Sequence, residues 1–267
     1  MKKVRLDQLV ADLGIAASRE RARAVIMAGE IFVDGQRVDK PGTAVDPQKK
    51  IELRGDALPY VSRGGLKLEK ALKVFTVNPA GMTCLDCGAS TGGFTDVLLK
   101  NGAKKVYAVD VGYGQLAWSL RGDGRVVNME RTNARYLTRV EIPEEIDLAV
   151  MDLAFISVRL VIPAAAALLR DEGEMICLIK PQFEAGRENV GKKGVVRDEG
   201  VHLQVLSDFM DFAPGAGLTL MGLDYSPIKG PEGNIEYLAW LKKGRHESTE
   251  PDAAAIVRAS HGELKEH

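Results

Sequence analysis

The chain has 267 residues, 45% of them hydrophobic and 27% charged, with a net charge of −1. That length accommodates two domains and a large core. The near-zero charge excludes a global positive field, so any nucleic-acid surface has to be local.

In chain order, Arg5–Leu13 places Leu6, Leu9, Val10 and Leu13 on one helical face, and Gly14 ends that helix. Ser18 is the predicted N-cap of a second helix through Met27, with Ala22, Val25 and Ile26 on its apolar side. Ile31–Val38 reads as a hairpin around Asp34-Gly35, and Lys50–Leu53 as a further short strand. A polar connector follows at 55–62, and a helix runs to Val74 from about Leu66. Strands are predicted at Met82–Cys87, Lys105–Asp110, Arg125–Met129, Asp147–Asp152, Glu174–Lys180, Leu218–Tyr225 and Asn234–Lys242. Helices fall between them at Gly93–Asn101, Tyr113–Arg121, Val158–Arg170 and Glu199–Phe212. Such alternation predicts an α/β, doubly wound, Rossmann-like sheet of largely parallel strands. A small α+β domain precedes it. The domains are 1–60, then 63–245, then a polar tail over 246–267 that frays.

The helix–helix–hairpin front end, over Ala17–Gly35 (ASRERARAVIMAGEIFVDG), resembles the RNA-binding domain named after ribosomal protein S-four. The resemblance implies an RNA-facing second helix, with Arg19, Arg21 and Arg23 at its start and Lys2, Lys3 and Arg5 nearby. Residues 1–60 hold 11 Lys/Arg and 9 Asp/Glu, a balance of +2. The RNA expectation therefore rests on the pattern, and a solvated charged face is the plain alternative.

Cys84, Cys87 and Cys177 are odd in number and lie in apolar, strand-like contexts. They exclude a disulfide framework and fit a reducing cytoplasm. The C-x-x-C of Cys84 and Cys87 has no second metal-ligand pair, so core packing is expected and a metal is not. MKKVRLDQLV lacks the apolar core of a signal peptide, and the apolar run Leu160–Leu169 is too short to span a bilayer.

The first strand of the sheet runs into Gly88, Ala89, Ser90, Thr91, Gly92 and Gly93 and then a helix. A glycine-rich strand-to-helix turn lets a ligand come close to the backbone. Asp110 ends the next strand about 20 residues on, where a carboxylate can accept from ribose hydroxyls. The dinucleotide fingerprint fails because Ser90 replaces its second glycine. The pattern D-x-G-x-x-x-G-G from Asp86 instead fits S-adenosylmethionine (SAM), with Asp86 orienting the ammonium. A nicotinamide cofactor and a purely structural turn are the alternatives. Asn133, in ERTNAR, is the candidate for adenine, against a helix-capping role. Tyr113, Gln115 and Leu116 are further candidates for lining the adenosine site.

Four more residues share one chemistry. Lys67 lies in the helix entering the sheet, Asp152 and Lys180 end strands, and Glu236 opens the last strand. Methylating a ribose 2′-hydroxyl needs a base or an environment that stabilises the alkoxide. A lysine serves as base when a second ammonium and partial burial lower its pKa, with carboxylates orienting the amines. Lys180 as base, Lys67 as its depressing neighbour, and Asp152 and Glu236 as partners fit that requirement. Arg187, Lys192, Lys193 and Arg197 lie in a glycine-rich loop after Lys180 and are candidates for phosphate contact.

SRGGLKLEKAL, LDCGASTGGFTDVLL, VDVGYGQLAWSLR, MERTNAR, DLAFIS, LIKPQFEAG and GNIEYLAWL together resemble the TlyA family. These are bacterial rRNA 2′-O-methyltransferases once labelled hemolysins, similar to the FtsJ group with its Lys-Asp-Lys-Glu tetrad. The resemblance implies SAM as cofactor, cytidine ribose in ribosomal RNA (16S, 23S or both) as substrate, and ribosomal RNA or subunits as partners. It implies the tetrad at Lys67, Asp152, Lys180 and Glu236. A non-catalytic ribosome-assembly protein and a membrane-active hemolysin are the rival functions. The intact tetrad weighs against the first, and the lack of a spanning or pore-forming segment against the second.

Overall fold

A computed structural model describes residues 3–16, 18–27, 29–53 and 59–264. The chain divides into two compact units, Met1–Gly65 and Leu66–His267.

In the first unit, β1 (Val4–Arg5), α1 (Leu6–Asp12) and α2 (Arg19–Met27) precede β2 (Ile31–Val33), β3 (Gln36–Arg37), β4 (Ala44–Val45) and β5 (Ile51–Leu53). The Ser18 hydroxyl accepts from the Arg21 amide at 3.1 Å and so caps α2. The apolar faces of the two helices meet through Leu6, Leu9, Val10, Ala22, Val25 and Ile26, closing a small core over Ile31 and Val33. The turn between β2 and β3 has φ +49° at Asp34 and +78° at Gly35, as a tight Asp-Gly hairpin requires. The antiparallel pairing of β1 with β4 was not predicted. Two-residue strands carry no period for a sequence to display.

In the second unit, α3 (Gly65–Val74) leads into β6 (Thr83–Cys87), α4 (Gly93–Lys100), β7 (Lys105–Asp110), α5 (Trp118–Arg121) and β8 (Val126–Glu130). Then come β9 (Ile146–Met151), α6 (Ile162–Leu168), β10 (Leu169–Ile179), α7 (Pro181–Glu184), α8 (Glu199–Gly215), β11 (Leu218–Tyr225), β12 (Tyr237–Lys243) and α9 (Ala253–Glu263). The seven strands lie in the order β11-β12-β10-β9-β6-β7-β8. β8, β7, β6, β9 and β10 run parallel, and β12 runs antiparallel to both its neighbours. The expected sheet of largely parallel strands is present. Its order reverses at β6, the switch point beside which open α/β sheets bind ligands. One face buries Leu85, Val109, Met151, Cys177 and Leu241 against Ile162, Leu206, Phe209 and Val257 of the helices. Alternate residues such as Cys84, Val150, Ile176 and Leu238 are equally buried on the other face. The three cysteines are free and buried.

Several segments differ from the sequence expectation. The helix expected over Val158–Arg170 ends at Leu168, β10 begins at Leu169 rather than at Glu174, and Asn234–Glu236, expected in the last strand, precede β12. The helix expected at Tyr113–Arg121 is confined to Trp118–Arg121. Before it the chain wraps as a loop, with the Gly112 amide donating to Asp110 Oδ1 at 2.6 Å. The tail expected to fray contains α9, capped by Asp252, which accepts from the Ala255 amide at 2.9 Å. The buried face of α9 is Ala253, Val257 and Ser260. Two of those three are too small or too polar to mark a core-facing stripe.

Val257 is 2% exposed. Val257→Ala should therefore lower stability in urea denaturation by about 1–3 kcal/mol, the range for losing buried methyl groups. A frayed tail would give no change.

Candidate functional site

The strand ends of the parallel sheet gather four charges from segments far apart in sequence. Asp152 follows β9, Lys180 follows β10, Glu236 precedes β12, and Lys67 sits in the first turn of α3. Lys67 Nζ donates to Glu236 Oε2 at 2.6 Å and to Asp152 Oδ2 at 3.2 Å. Lys180 Nζ lies 2.5 Å from Asp152 Oδ1 and 3.8 Å from Glu236 Oε1. Ammonium and carboxylate thus alternate around a square, and each lysine meets both acids. The Lys67 side chain is 8% exposed and that of Glu236 1%. Such burial is tolerated because every charge has partners.

Burial opposes the charge on Lys67, but Asp152 and Glu236 outweigh it and hold its pKa above the ordinary lysine value. Burial likewise opposes the charge on Asp152, and Lys67 and Lys180 hold its carboxyl below the usual range. The sequence expectation had Lys67 acting as a like charge beside Lys180. In the structure Lys67 donates to both carboxylates, Asp152 and Glu236, which also flank Lys180.

Close packing sets this geometry. The Asp152 amide donates to the Cys87 carbonyl at 3.2 Å, beside the glycine turn. Gly88 has φ +85°, and a Cβ there would fall 2.7 Å from the Asp152 carbonyl oxygen. Only glycine meets both conditions. At Gly230 the constraint is one of space alone, since a Cβ there would lie 2.7 Å from Glu236 Oε1.

Asp86 is fully buried at the end of β6. Its Oδ2 accepts from the Thr95 hydroxyl at 2.6 Å, while its Oδ1 has no partner. Burial pushes its carboxyl up to about 7. A buried, half-satisfied carboxylate beside a glycine turn matches the chemistry of a ligand that brings a cation. Asp110 braces the turn, accepting from the Ser90 amide at 2.8 Å as well as from Gly112. Gly92 backs onto Leu116 and Leu120. Ala89 is buried and Ser90 exposed, with Thr91 and Gly93 completing the turn into α4. Asn133 Oδ1 accepts from the Arg135 amide at 3.0 Å and caps a short helical turn. The capping alternative raised for Asn133 is thus present. Tyr113 is exposed, with the Arg131 guanidinium 4.1 Å over its ring. Gln115 receives the Ser90 hydroxyl at 3.4 Å.

The basic residues of the first unit are differently engaged. The buried Asp7 holds Arg5 through bonds of 3.0 and 2.9 Å, and Arg19 at 3.3 Å. It thereby aligns two arginines as one pair. Arg21 is directed elsewhere and donates to the Tyr60 carbonyl at 2.8 Å. Lys3 and Arg23 are exposed, and Lys2 lies outside the described residues. In the second unit Arg187, Lys192, Lys193 and Arg197 are all exposed.

Sequence reasoning missed three contributors. Thr95 is read as an ordinary helix residue, yet it satisfies half of Asp86. Asn234 accepts from the Val196 amide at 3.0 Å and donates to the Gly194 carbonyl at 2.8 Å, tying the basic loop to the approach of β12. Phe155, three residues past Asp152, is 93% exposed at φ +65°, and the Phe183 ring lies 5.6 Å away. An aromatic in an apolar run reads as core, and only its left-handed backbone turns it outward. Among the described residues, no group of acids, histidines and cysteines could hold a metal, and no helix is long and apolar enough to cross a membrane.

The FtsJ-like methyltransferase family model matches residues 60–243 and the S4 domain model matches 4–51. A Bacillus subtilis protein provisionally named rRNA methyltransferase YqxC is 49% identical over 99% of this chain and 96% of its own. The Mycobacterium tuberculosis 16S/23S rRNA (cytidine-2′-O)-methyltransferase TlyA is 45% identical over 90% of each chain. A solved structure from Streptococcus thermophilus, provisionally described as a hemolysin, superposes with a TM-score of 0.80 at 47% identity, covering 99% of this chain and 98% of the other.

Glu236→Ala would leave Lys67 buried with one carboxylate fewer. Stability in urea should fall by about 3–5 kcal/mol, the range for breaking a buried ion pair. A loss below about 1 kcal/mol, typical of exposed pairs, would mean that the square is not an energetic unit.

Proposed function

The chain belongs to the TlyA group of the FtsJ-like methyltransferase family, and from that premise we propose that it transfers a methyl group from SAM to the 2′-oxygen of a cytidine in ribosomal RNA. The observation that carries this reading is the alternating Lys67–Asp152–Lys180–Glu236 square, at the strand ends beside the glycine turn.

Asp86, the Gly88–Gly93 turn and Asp110 are the residues that would hold the cofactor, with Asn133 at its adenine end. The orphaned Asp86 oxygen fits its ammonium. Bound SAM would supply an activated methyl on a sulfonium, whose positive charge also disfavours a second cation nearby. Lys180 faces the 2′-hydroxyl and, in its neutral amine form, takes its proton at Nζ as the oxygen attacks. Lys67 stays protonated and holds Asp152 and Glu236 in place. Asp152 orients the Lys180 amine and stabilises the ammonium that forms there. Positioning supplies much of the rate. Phe155 offers an open ring face on which a base turned out of its stack can rest. Arg5 and Arg19, Lys3 and Arg23 of the S4 domain contact phosphates, as do Arg187, Lys192 and Lys193 of the basic loop.

Labelled methyl transfer to ribosomal subunits tests the catalytic assignment. Lys180→Ala should reduce transfer by about 100-fold or more, the scale of general base catalysis, with SAM affinity unchanged. Near-normal transfer by this variant would defeat the assignment. A wild type that binds rRNA but transfers no methyl would point to a non-catalytic assembly protein.

Asp86 gives a second test, through pH. Its raised pKa means that the carboxylate needed for an ammonium is lost as pH falls through about 7. SAM affinity measured by calorimetry should therefore weaken between pH 8 and pH 6, both taken as about one unit either side of that value. Asp86→Asn should bind SAM weakly at every pH in that window. A wild-type affinity flat across it would remove Asp86 from the role.

A further inference from the structure

His202 is a buried titratable residue that methyl transfer as described above does not use. It lies in the first turns of α8 with no solvent exposure. Both ring nitrogens are engaged: Nε2 lies 3.0 Å from the Val196 carbonyl oxygen and Nδ1 2.7 Å from the Tyr237 hydroxyl. A carbonyl only accepts, so Nε2 carries the hydrogen, and Nδ1 accepts from the tyrosine. The tautomer follows from the partners.

Each partner borders something the proposed reaction needs. Tyr237 immediately follows Glu236 in the chain and is itself fully buried. Val196 closes the loop Gly191–Val196, in which Lys192 and Lys193 stand exposed between two glycines. That loop is a tight turn, with the Gly191 amide donating to Val195 at 3.1 Å and the Gly194 amide to Gly191 at 2.8 Å. Its base, Val195 and Val196, is buried. Val196 is thus gripped at both backbone groups. Asn234 takes its amide and His202 its carbonyl. Asn234 lies two residues before Glu236, and Tyr237 one residue after it.

We infer that His202 is a positioning residue: it fixes the Lys192–Lys193 turn in register with the start of β12, which Glu236 immediately precedes, so that phosphate contact and the reacting centre are set by one rigid unit. The inference rests on the rRNA methyltransferase reading for its kinetic consequence, but not for its structural one. Four other residues adjoin His202. His261 of α9 has Nε2 3.4 Å from Nδ1, Ser260 of α9 lies 3.2 Å from the Tyr237 hydroxyl, and Asp198 and Glu199 open α8. These pack the dyad without replacing either of its bonds.

The test compares wild type with His202→Leu, His202→Gln and Tyr237→Phe in the full chain. Leucine keeps the bulk and removes both bonds. Glutamine retains a donor for Val196 and an acceptor for Tyr237. Phenylalanine removes one oxygen only. Amide hydrogen exchange, which needs no activity, should rise locally over 191–196 in His202→Leu and Tyr237→Phe and return toward wild type in His202→Gln. With ribosomal substrate, KM for RNA should rise about tenfold in His202→Leu, the scale of losing one or two phosphate contacts. SAM affinity should stay constant and kcat change far less than KM. Exchange over 191–196 unchanged in both His202→Leu and Tyr237→Phe overturns the inference. So does a uniform loss of protection across the domain that glutamine does not rescue, or a His202→Leu that fails to fold while Tyr237→Phe exchanges as wild type. A wild type that transfers no methyl would refute the function while leaving the exchange result to decide the positioning role.

Discussion

Two lysines and two carboxylates share one nearly dry site, and none of the four is tolerable there alone. Moving an unpaired ion of this size out of water costs several kcal/mol even after relaxation. The alternation of charge around the square offsets that cost only while all four members hold their places. This constraint reaches well beyond the site. It requires β9 and β10 to end side by side, β12 to run back antiparallel so that Glu236 arrives at the same edge, and α3 to present Lys67 over them. Lys70, one turn further along α3, donates to Asp224 at 3.1 Å and to the Tyr225 carbonyl at 2.7 Å, fastening that helix to β11. The antiparallel strand, which looks like an irregularity in a parallel sheet, is what delivers the fourth charge.

The Asp86 side of the switch point works differently. There the cost is left partly open. Asp86 is buried with one oxygen unpartnered, and burial disfavours its charge, raising its pKa. Local strain and unsatisfied polarity at such a point are commonly tied to ligand binding. Gly88 brings the glycine turn against the Asp152 backbone, so the Asp86 turn and the charge square meet through backbone.

Much of this was legible in the sequence, for a physical reason. Buried parallel strands are short continuous apolar runs between glycine-containing turns. Lys105–Asp110 is such a strand and came out with the boundaries the structure gives it, as did the half-buried antiparallel edge strand Leu218–Tyr225. The four charged residues stood out because they sit at strand ends or at a helix start, where a lone charge among apolar neighbours is conspicuous. What stayed hidden depends on contacts between distant segments. The α9 helix buries small and polar residues that leave no stripe. Arg21 was expected to face RNA, and no local pattern reveals that its guanidinium also donates to the Tyr60 carbonyl. That both carboxylates stand between the two lysines is likewise visible only in the three-dimensional arrangement.

The acceptor atom is the centre of the account. Ribosomal RNA incubated with the protein and SAM, digested to nucleosides and resolved by mass spectrometry, tests it directly. Methylation on the ribose of cytidine, as 2′-O-methylcytidine, is the predicted product. A methyl group on a base, or no methylated nucleoside above the protein-free control, would contradict it.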